Sequence, residues 1–417
     1  MNIAFGKLGK SVLFDRSKWP PSLEGASEAP LALINLAKYY PNETFYLVGK
    51  SDFSRLKPEL RDELFPNNNV VDVWKGFKSN NFEEIQEWPA KFLKDIKIDA
   101  GIFYCGPTSG VNMINKIKKN RDPSQFAKPL SVYVRYVGAI YNWLNLSNTP
   151  WIAVCNDPRY MPVGGKDIFN MPRFVMSQMH HGKVKHKHIK SYEDQVEIIS
   201  EYDGFYSGIE KARLIDQPKL DIEKLEKTID ITMILNQAKN AKNNRDKLIH
   251  SYVLDHFDNV SVYGAWEEEF YKDKRFKGPN LLRDLESELQ ATKYTIMFPM
   301  QDGWLSPKIY EMVSRGIIPF MAEGYDKQEN VEMNAGVSEF LRVADVEDFK
   351  KKIAFLNNSD ERRLKLLKLL KESMLKDEYY DGTWIAKELM YQASEVAGHE
   401  NMPCIAGTKP NKVEAFF

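Results

Sequence analysis

Between Tyr294 and Met321 the chain reads YTIMFPMQDGWLSPKIYEMVSRGIIPFM, and these residue types in this order can hold a diphosphate ester. An apolar strand ends in Pro299-Met300-Gln301, and a loop Asp302-Gly303-Trp304 follows. Ser306, Pro307 and Lys308 then open a short predicted helix, which Gly316 breaks before the next strand. A proline directly after a serine cap suits a helix start, because its missing N–H is not needed there. The amides of residues 305 to 308 and the Lys308 ammonium would then face a single anion. Glu311, one turn on, is spaced to accept hydrogen bonds from ribose hydroxyls. Taken alone, the pattern suits an ordinary solvated turn of an α/β protein equally well.

Two other stretches carry chemistry-bearing residues. Gly6-Lys7-Leu8-Gly9-Lys10-Ser11 ends like a phosphate-binding P-loop, but Ala4 stands where the first glycine is required, and Trp19-Pro20-Pro21 cannot continue the helix that must follow. The better reading is a glycine-rich loop, with Gly9, Lys10 and Ser11 in its first half and Gly25 in its second, just ahead of a helix start that can receive an anionic or hydroxyl-rich ligand. Residues 180 to 190 gather four of the seven histidines and four lysines. The local field there suits phosphate contacts, and His181, Lys183, Lys185 and Lys187 are the candidates. A solvated loop remains open as a reading. No acidic or cysteine residues cluster with the run, so no metal site is expected.

These residues need a scaffold, and the composition narrows what it can be. With 417 residues, 43% of them hydrophobic, the chain can build two or three cores. Lys plus Arg and Asp plus Glu both number 58, so whole-chain electrostatics cannot drive binding to a polyanion, and any such contact must use a local patch. No apolar run is long enough to span a bilayer, and the N-terminus lacks the pattern of a signal peptide, so a soluble, cytoplasmic protein without membrane contact is expected. The three cysteines, Cys105, Cys155 and Cys404, are odd in number and lack C-x-x-C spacing, which argues against a disulfide framework or a cysteine zinc site.

Hydrophobic periodicity alternates strand and helix along most of the chain. Strands are predicted at 2–5, 44–49, 70–74, 99–105 and 150–155, with a late one at 202–207. Helices are predicted at 29–40, 82–96 and 109–119, and 130–137 forms a further segment. A charged stretch near 220–228 marks a boundary, after which strands at 230–235, 259–263, 294–298 and 317–321 alternate with helices at 243–257, 280–291 and 306–315. A last strand near 340–343 precedes a helix at 346–356, and further helices are read at 361–376 and 383–396. The expectation is an α/β protein with two Rossmann-like doubly wound domains facing a central cleft. Domain one covers 1–222 and domain two 223–382, a helix within 383–400 packs back on domain one, and 401–417 is a flexible tail.

The segment Glu311-Met312-Val313-Ser314-Arg315-Gly316-Ile317-Ile318-Pro319, preceded by Asp302-Gly303-Trp304, resembles the donor-site region of the GT-B glycosyltransferases. Phage DNA (hydroxymethylcytosine) glucosyltransferases are the sharper likeness. The resemblance implies a nucleotide-sugar co-substrate, best guessed as a UDP-sugar, with no tightly bound cofactor and no metal. The donor would lie on Gln301, Asp302, Gly303, Trp304, Ser306, Lys308 and Glu311. Such enzymes commonly place a basic residue on the donor phosphates after the first strand of the second domain, where Lys239 and Arg245 stand here. Retaining members usually carry a glutamate eight residues before the ribose-binding one; Gly303 occupies that position and Asp302 is one place off, so the anomeric outcome stays open.

Cys155-Asn156-Asp157-Pro158-Arg159-Tyr160 resembles the polar loop after the corresponding first-domain strand of phage DNA α-glucosyltransferases. The likeness casts Asp157 as the base for an acceptor hydroxyl or as the holder of a donor hydroxyl. Asp-Pro is also ordinary turn chemistry. The likeness further implies double-stranded DNA as acceptor, with a flipped hydroxymethyl pyrimidine as the reacting base. The ending Phe416-Phe417 looks like the tails by which phage replication proteins dock on a sliding clamp. Two rival readings stand: a GT-B enzyme acting on a small molecule or cell-surface glycan, and a non-catalytic two-lobed ligand-binding protein.

Overall fold

The computed structural model describes residues 1–9, 11–15, 28–105, 130–155, 173–176, 219–237, 245–280, 282–299, 306, 308–326 and 331–399. These residues fall into two compact units, one formed from 1–176 and 382–399 and the other from 219–381.

The first unit is built on strands β1 (Asn2–Leu8), β2 (Thr44–Leu47), β3 (Val70–Asp72), β4 (Ala100–Cys105), β5 (Trp151–Cys155) and β6 (Arg173–Met176), all parallel, in the order β3-β2-β1-β4-β5-β6. β4 is buried along its whole length, as its sequence AGIFYC requires of a strand covered on both faces. Helices α1 (Glu28–Tyr39), α2 (Pro58–Leu64), α3 (Phe82–Phe92) and α4 (Leu130–Ser147) belong to this unit. α3 starts where Asn81 accepts hydrogen bonds from the amides of Glu83 and Glu84, at 2.8 and 3.1 Å. It packs on α4, where Asn142 donates to the Gln86 carbonyl at 2.9 Å. The apolar layer between sheet and helices joins Phe103, Val137, Ile140, Trp143 and Trp151.

The second unit carries β7 (Ile229–Ile234), β8 (Val260–Tyr263), β9 (Phe276–Gly278), β10 (Thr292–Met297) and β11 (Ile318–Met321), also all parallel, in the order β11-β10-β7-β8-β9. Its helices are α5 (Arg245–Ile249), α6 (Glu286–Gln290), α7 (Lys308–Ser314), α8 (Ala335–Leu341), α9 (Val346–Asn357), α10 (Asp360–Met374) and α11 (Asp377–Tyr380). The final helix, α12 (Thr383–Val396), lies against α1, β4 and β5 in the first unit.

Numbered from its own first strand, each sheet runs 3-2-1-4-5, and the first adds a sixth strand. This is the doubly wound Rossmann order, whose switch points lie between β1 and β4 and between β7 and β10. Several local readings differ from the sequence expectation. Residues 340–343 are not a strand: Asn334 caps α8 by accepting from the Gly336 amide at 3.0 Å, and the helix runs through Leu341, leaving Arg342 a single bridge to Met321. Residues 130–137 begin an 18-residue helix. The predicted helix at 243–257 is α5 followed by one wider π turn over His250–Leu254. The short strands β6 and β9 were absent from the sequence reading.

Candidate functional site

In open α/β sheets, ligands lie beyond the carboxyl ends of the strands at the switch point, because there the neighbouring connections diverge and leave a crevice. In the second unit that point lies beyond β7 and β10. A buried hydrogen bond of 2.7 Å between the Thr232 and Thr292 hydroxyls ties the two strands. Lys308 opens α7 and sends its ammonium to within 3.4 Å of the Ile234 carbonyl at the carboxyl end of β7. A cation from the β10 connection therefore reaches over the switch point to the neighbouring strand. Glu311 is half-buried one turn further on, and its carbonyl accepts from Ser314 Oγ at 2.9 Å and Arg315 Nη1 at 3.0 Å. Arg315 is itself buried and pairs with Glu286 at 2.9 Å, so the far end of α7 is tied to α6.

The sequence reading missed how Ser306 is fixed. The Tyr325 hydroxyl accepts from the Ser306 amide at 3.0 Å and donates to the Ser306 carbonyl at 2.7 Å, so one phenol holds both polar groups of one residue. Tyr325 is buried, and burial pushes its phenol well above the ordinary value, keeping it a neutral donor. It sits in the turn after β11, whose carbonyls at Tyr325 and Asp326 accept from the two terminal nitrogens of Arg342, at 3.0 and 2.7 Å. Asp326 adopts a left-handed backbone with φ of 43°, and its carboxylate accepts from the Val331 amide at 3.0 Å. A tyrosine four residues past a strand carries no local sequence signal. Only the fold brings it to residue 306.

The connection leaving β7 is zipped to the one leaving β8. Gln237 N donates to the Ala265 carbonyl at 2.9 Å, the Asn236 side chain accepts from the Ala265 amide at 2.8 Å, and the Gln237 side chain accepts from the Glu267 amide at 3.0 Å. Trp266 Nε1 closes the pair on the Leu235 carbonyl at 3.0 Å. Gly264 makes this approach possible: its φ is 143°, and a Cβ there would lie 2.0 Å from the Leu235 carbonyl oxygen.

In the first unit the chain leaving β1 is also pinned. Gly9 is buried, and beyond it Val12 extends the parallel pairing, donating to the Lys50 carbonyl at 2.8 Å and accepting from the Asp52 amide at 3.2 Å. The buried Asp52 carboxylate accepts from the amides of Phe14 and Asp15 at 2.8 and 3.4 Å. Phe14 packs edge-on to Phe53 and Phe65. Residues 11–15 thus run alongside the β2 connection instead of turning into a helix, and Ser11 lies half-buried on this segment.

The described residues bring Ser306, Lys308 and Glu311 to one edge of the second sheet, and Arg245 opens α5 in the connection after β7. Asp157, Lys239, Gln301, Asp302, Gly303, Trp304, Lys10, Gly25, His181, Lys183, Lys185, Lys187, Phe416 and Phe417 lie outside the described residues. Among the described residues, no group of His, Cys, Asp and Glu is arranged to hold a metal ion, and no helix is long and apolar enough to cross a membrane.

No protein-family model matches the sequence, and no curated protein matches it. Solved structures do. The chain is similar to T4 phage BGT in complex with its UDP-glucose substrate, with a TM-score of 0.56 over 94% of this chain and 99% of that one at 11% identity. It is similar as well to the DNA-modifying enzyme β-glucosyltransferase, solved with and without uridine diphosphoglucose, at a TM-score of 0.54, 12% identity and coverage of 95% and 99%. A complex of T4 phage BGT with UDP and Mn2+ gives 0.55, 12%, 95% and 99%. The fold is GT-B. In a GT-B chain, two Rossmann-like units each present a switch point, and here Lys308 crosses the one in the second unit.

Proposed function

We propose that this GT-B chain is a glycosyltransferase that moves a sugar from a nucleotide diphosphate, best read as a UDP-sugar, to a hydroxyl acceptor. The observation that carries the reading is Lys308, whose ammonium reaches the Ile234 carbonyl beyond β7, with Glu311 one turn along the same helix. A cation at a switch point suits a diphosphate, and a carboxylate one helical turn away suits the two ribose hydroxyls as donors. The similarity to enzymes solved with UDP-glucose supports the same donor class.

In the transfer, the acceptor oxygen forms a bond to the anomeric carbon while the bond from that carbon to the diphosphate oxygen breaks. The electron pair leaves with the nucleotide. The acceptor proton goes to a base, and Asp157 is our candidate. Lys308 and Arg245, with Lys239, would stabilise the charge that develops on the leaving diphosphate. For the acceptor we favour a hydroxymethylated pyrimidine in duplex DNA. The basic run at 180–190 supports this choice, as does the likeness to a DNA-modifying enzyme.

The test incubates the purified protein with UDP-sugars and hydroxymethylcytosine duplex, following nucleotide release and base mass. A sugar-sized mass increase on the base, reduced at least about tenfold in Glu311→Ala by loss of charge-assisted hydrogen bonds, is the expected result. Nucleotide release without base modification removes the DNA acceptor and keeps the transferase. No release from any donor removes both.

A further inference from the structure

The basic surface of the sequence reading lies at 180–190, but the fold assembles a second cationic group from residues that are far apart in sequence. Lys50 and Arg55 follow β2, Trp74 follows β3, and Arg135 and Tyr136 sit on α4. All strands of this sheet are parallel, so the ends of β2 and β3 lie on the edge where open α/β sheets receive ligands. Lys50 Nζ sits 4.7 Å from the centre of the Tyr136 ring, and Trp74 meets the same ring at 4.8 Å and 70°. Trp74 Nε1 donates to the Val48 carbonyl at 2.6 Å, so the ring that backs the lysine is itself fixed to the sheet.

Among the described residues, the charges in this group have no carboxylate ion pair. Burial lowers the Lys50 ammonium, and the nearby charge of the exposed Arg55 lowers it further. Arg55 and Arg135 both act on the Tyr136 phenol. Among the described residues, no carboxylate pairs with Lys50 or Arg55. Asp52 accepts from the amides of Phe14 and Asp15, and Asp72 from the Ser54 hydroxyl and, at 2.9 Å, the Trp74 amide. Arg135 gives Nη1 to the Asn80 carbonyl at 3.3 Å, and its Nε is buried without a partner. Like charges held together this way cost free energy unless an anion joins them. An aromatic face that fixes one cation without neutralising it leaves its charge for an external partner.

We propose that Lys50, held on the Tyr136–Trp74 pair, together with Arg55 after the same strand β2 and Arg135 next to Tyr136 on α4, forms a phosphate-contact patch for the backbone of a duplex DNA acceptor. The proposal rests on the transferase reading and names where its acceptor is gripped. These residues position the acceptor and take no part in donor chemistry, so they tune DNA affinity without altering hydrolysis of the UDP-sugar.

The experiment measures binding of a short fluorescent duplex to the full chain by anisotropy across a salt series, without donor. Each phosphate contact contributes roughly 0.9 to the slope of log affinity against log salt, so Lys50→Gln/Arg55→Gln should lower that slope by roughly two and weaken binding throughout. Arg55→Glu, at an exposed position that puts the fold at little risk, should weaken binding more than Arg55→Gln. UDP-sugar hydrolysis should match the wild type in each case, and the melting temperature of the glutamine variants should be no lower than that of the wild type. An unchanged slope in the double variant overturns the patch. Equal weakening of binding to an uncharged oligonucleotide analogue also overturns it, since phosphate charge would then not be what is read. No duplex binding by the wild type at low salt overturns both the patch and the DNA acceptor, while UDP-sugar hydrolysis measured on the same protein reports separately whether the transferase reading stands.

Discussion

The two sheets share one strand order, yet they fix the chain at their switch points by different chemistry. Beyond β1, a buried carboxylate does the work: Asp52 gathers the amides of Phe14 and Asp15, and an aromatic cluster anchors Phe14. Beyond β10, a neutral phenol does it: Tyr325 straddles both backbone groups of Ser306, and Arg342 holds the turn that carries Tyr325. A carboxylate only accepts, so it suits a segment whose amides converge. A phenol both donates and accepts, so it can hold a residue on each side without adding a charge of its own.

The close backbone approaches in the two units also differ in severity, and substitution should separate them. Gly264→Ala places a Cβ against the Leu235 carbonyl at 2.0 Å on a backbone with φ of 143°, so a loss of roughly 3 kcal/mol or more is expected. Gly6→Ala meets the Gly49 nitrogen at 3.1 Å and the Phe103 ring at 3.2 Å, and should cost only about 1 kcal/mol. Urea unfolding of both variants checks the ranking, and equal losses would mean that the β7 and β8 connections are not zipped as described.

Tyr325→Phe removes one oxygen and strands two polar groups of Ser306, which should cost about 1–3 kcal/mol. Because Ser306 lies next to the proposed donor residues Lys308 and Glu311, KM for the UDP-sugar should also rise. Asp52→Asn keeps one acceptor oxygen and should cost about 1 kcal/mol, leaving KM for the donor unchanged. The contrast in KM between these two variants is the sharper readout.

A pH dependence is expected away from both points. Lys227 donates to the Gln290 and Arg315 carbonyls at 2.7 and 2.8 Å, where α6 and α7 end, and burial beside Arg363 lowers its ammonium from 10.5 to about 7. Between those values the unfolded chain binds a proton that the folded chain lacks, so this group's contribution to stability rises with pH through that window and is least favourable below it. Melting temperatures of wild type and Lys227→Met should therefore diverge in favour of the wild type from about pH 7 upward. A constant difference would place the lysine in its ordinary range.

Much of this architecture was legible in the sequence because alternating apolar runs report which segments are covered on both faces. β4 and β10 stand where the apolar runs predicted them, and α12 spans the residues expected. What escaped depended on distant partners. β9 is three residues long and is the edge strand, paired with β8 among the described residues, so periodicity had nothing to register. At 340–343 the apolar run suggested a strand, but the Asn334 cap six residues upstream decided for helix. At the site, Lys308 and Glu311 were readable because one helical turn separates them. Tyr325 and Arg342 were not, since only the placement of β11 carries them to Ser306.

The central claim is that the carboxyl edge of β7 and β10 takes the diphosphate of a nucleotide sugar through Lys308. Calorimetric titration of UDP-glucose into the wild type and into Lys308→Ala tests it most directly. Loss of a charge-assisted contact should weaken binding roughly tenfold to a hundredfold while leaving the melting temperature of the free protein unchanged. Binding of equal strength to both proteins, or to neither, would contradict the account.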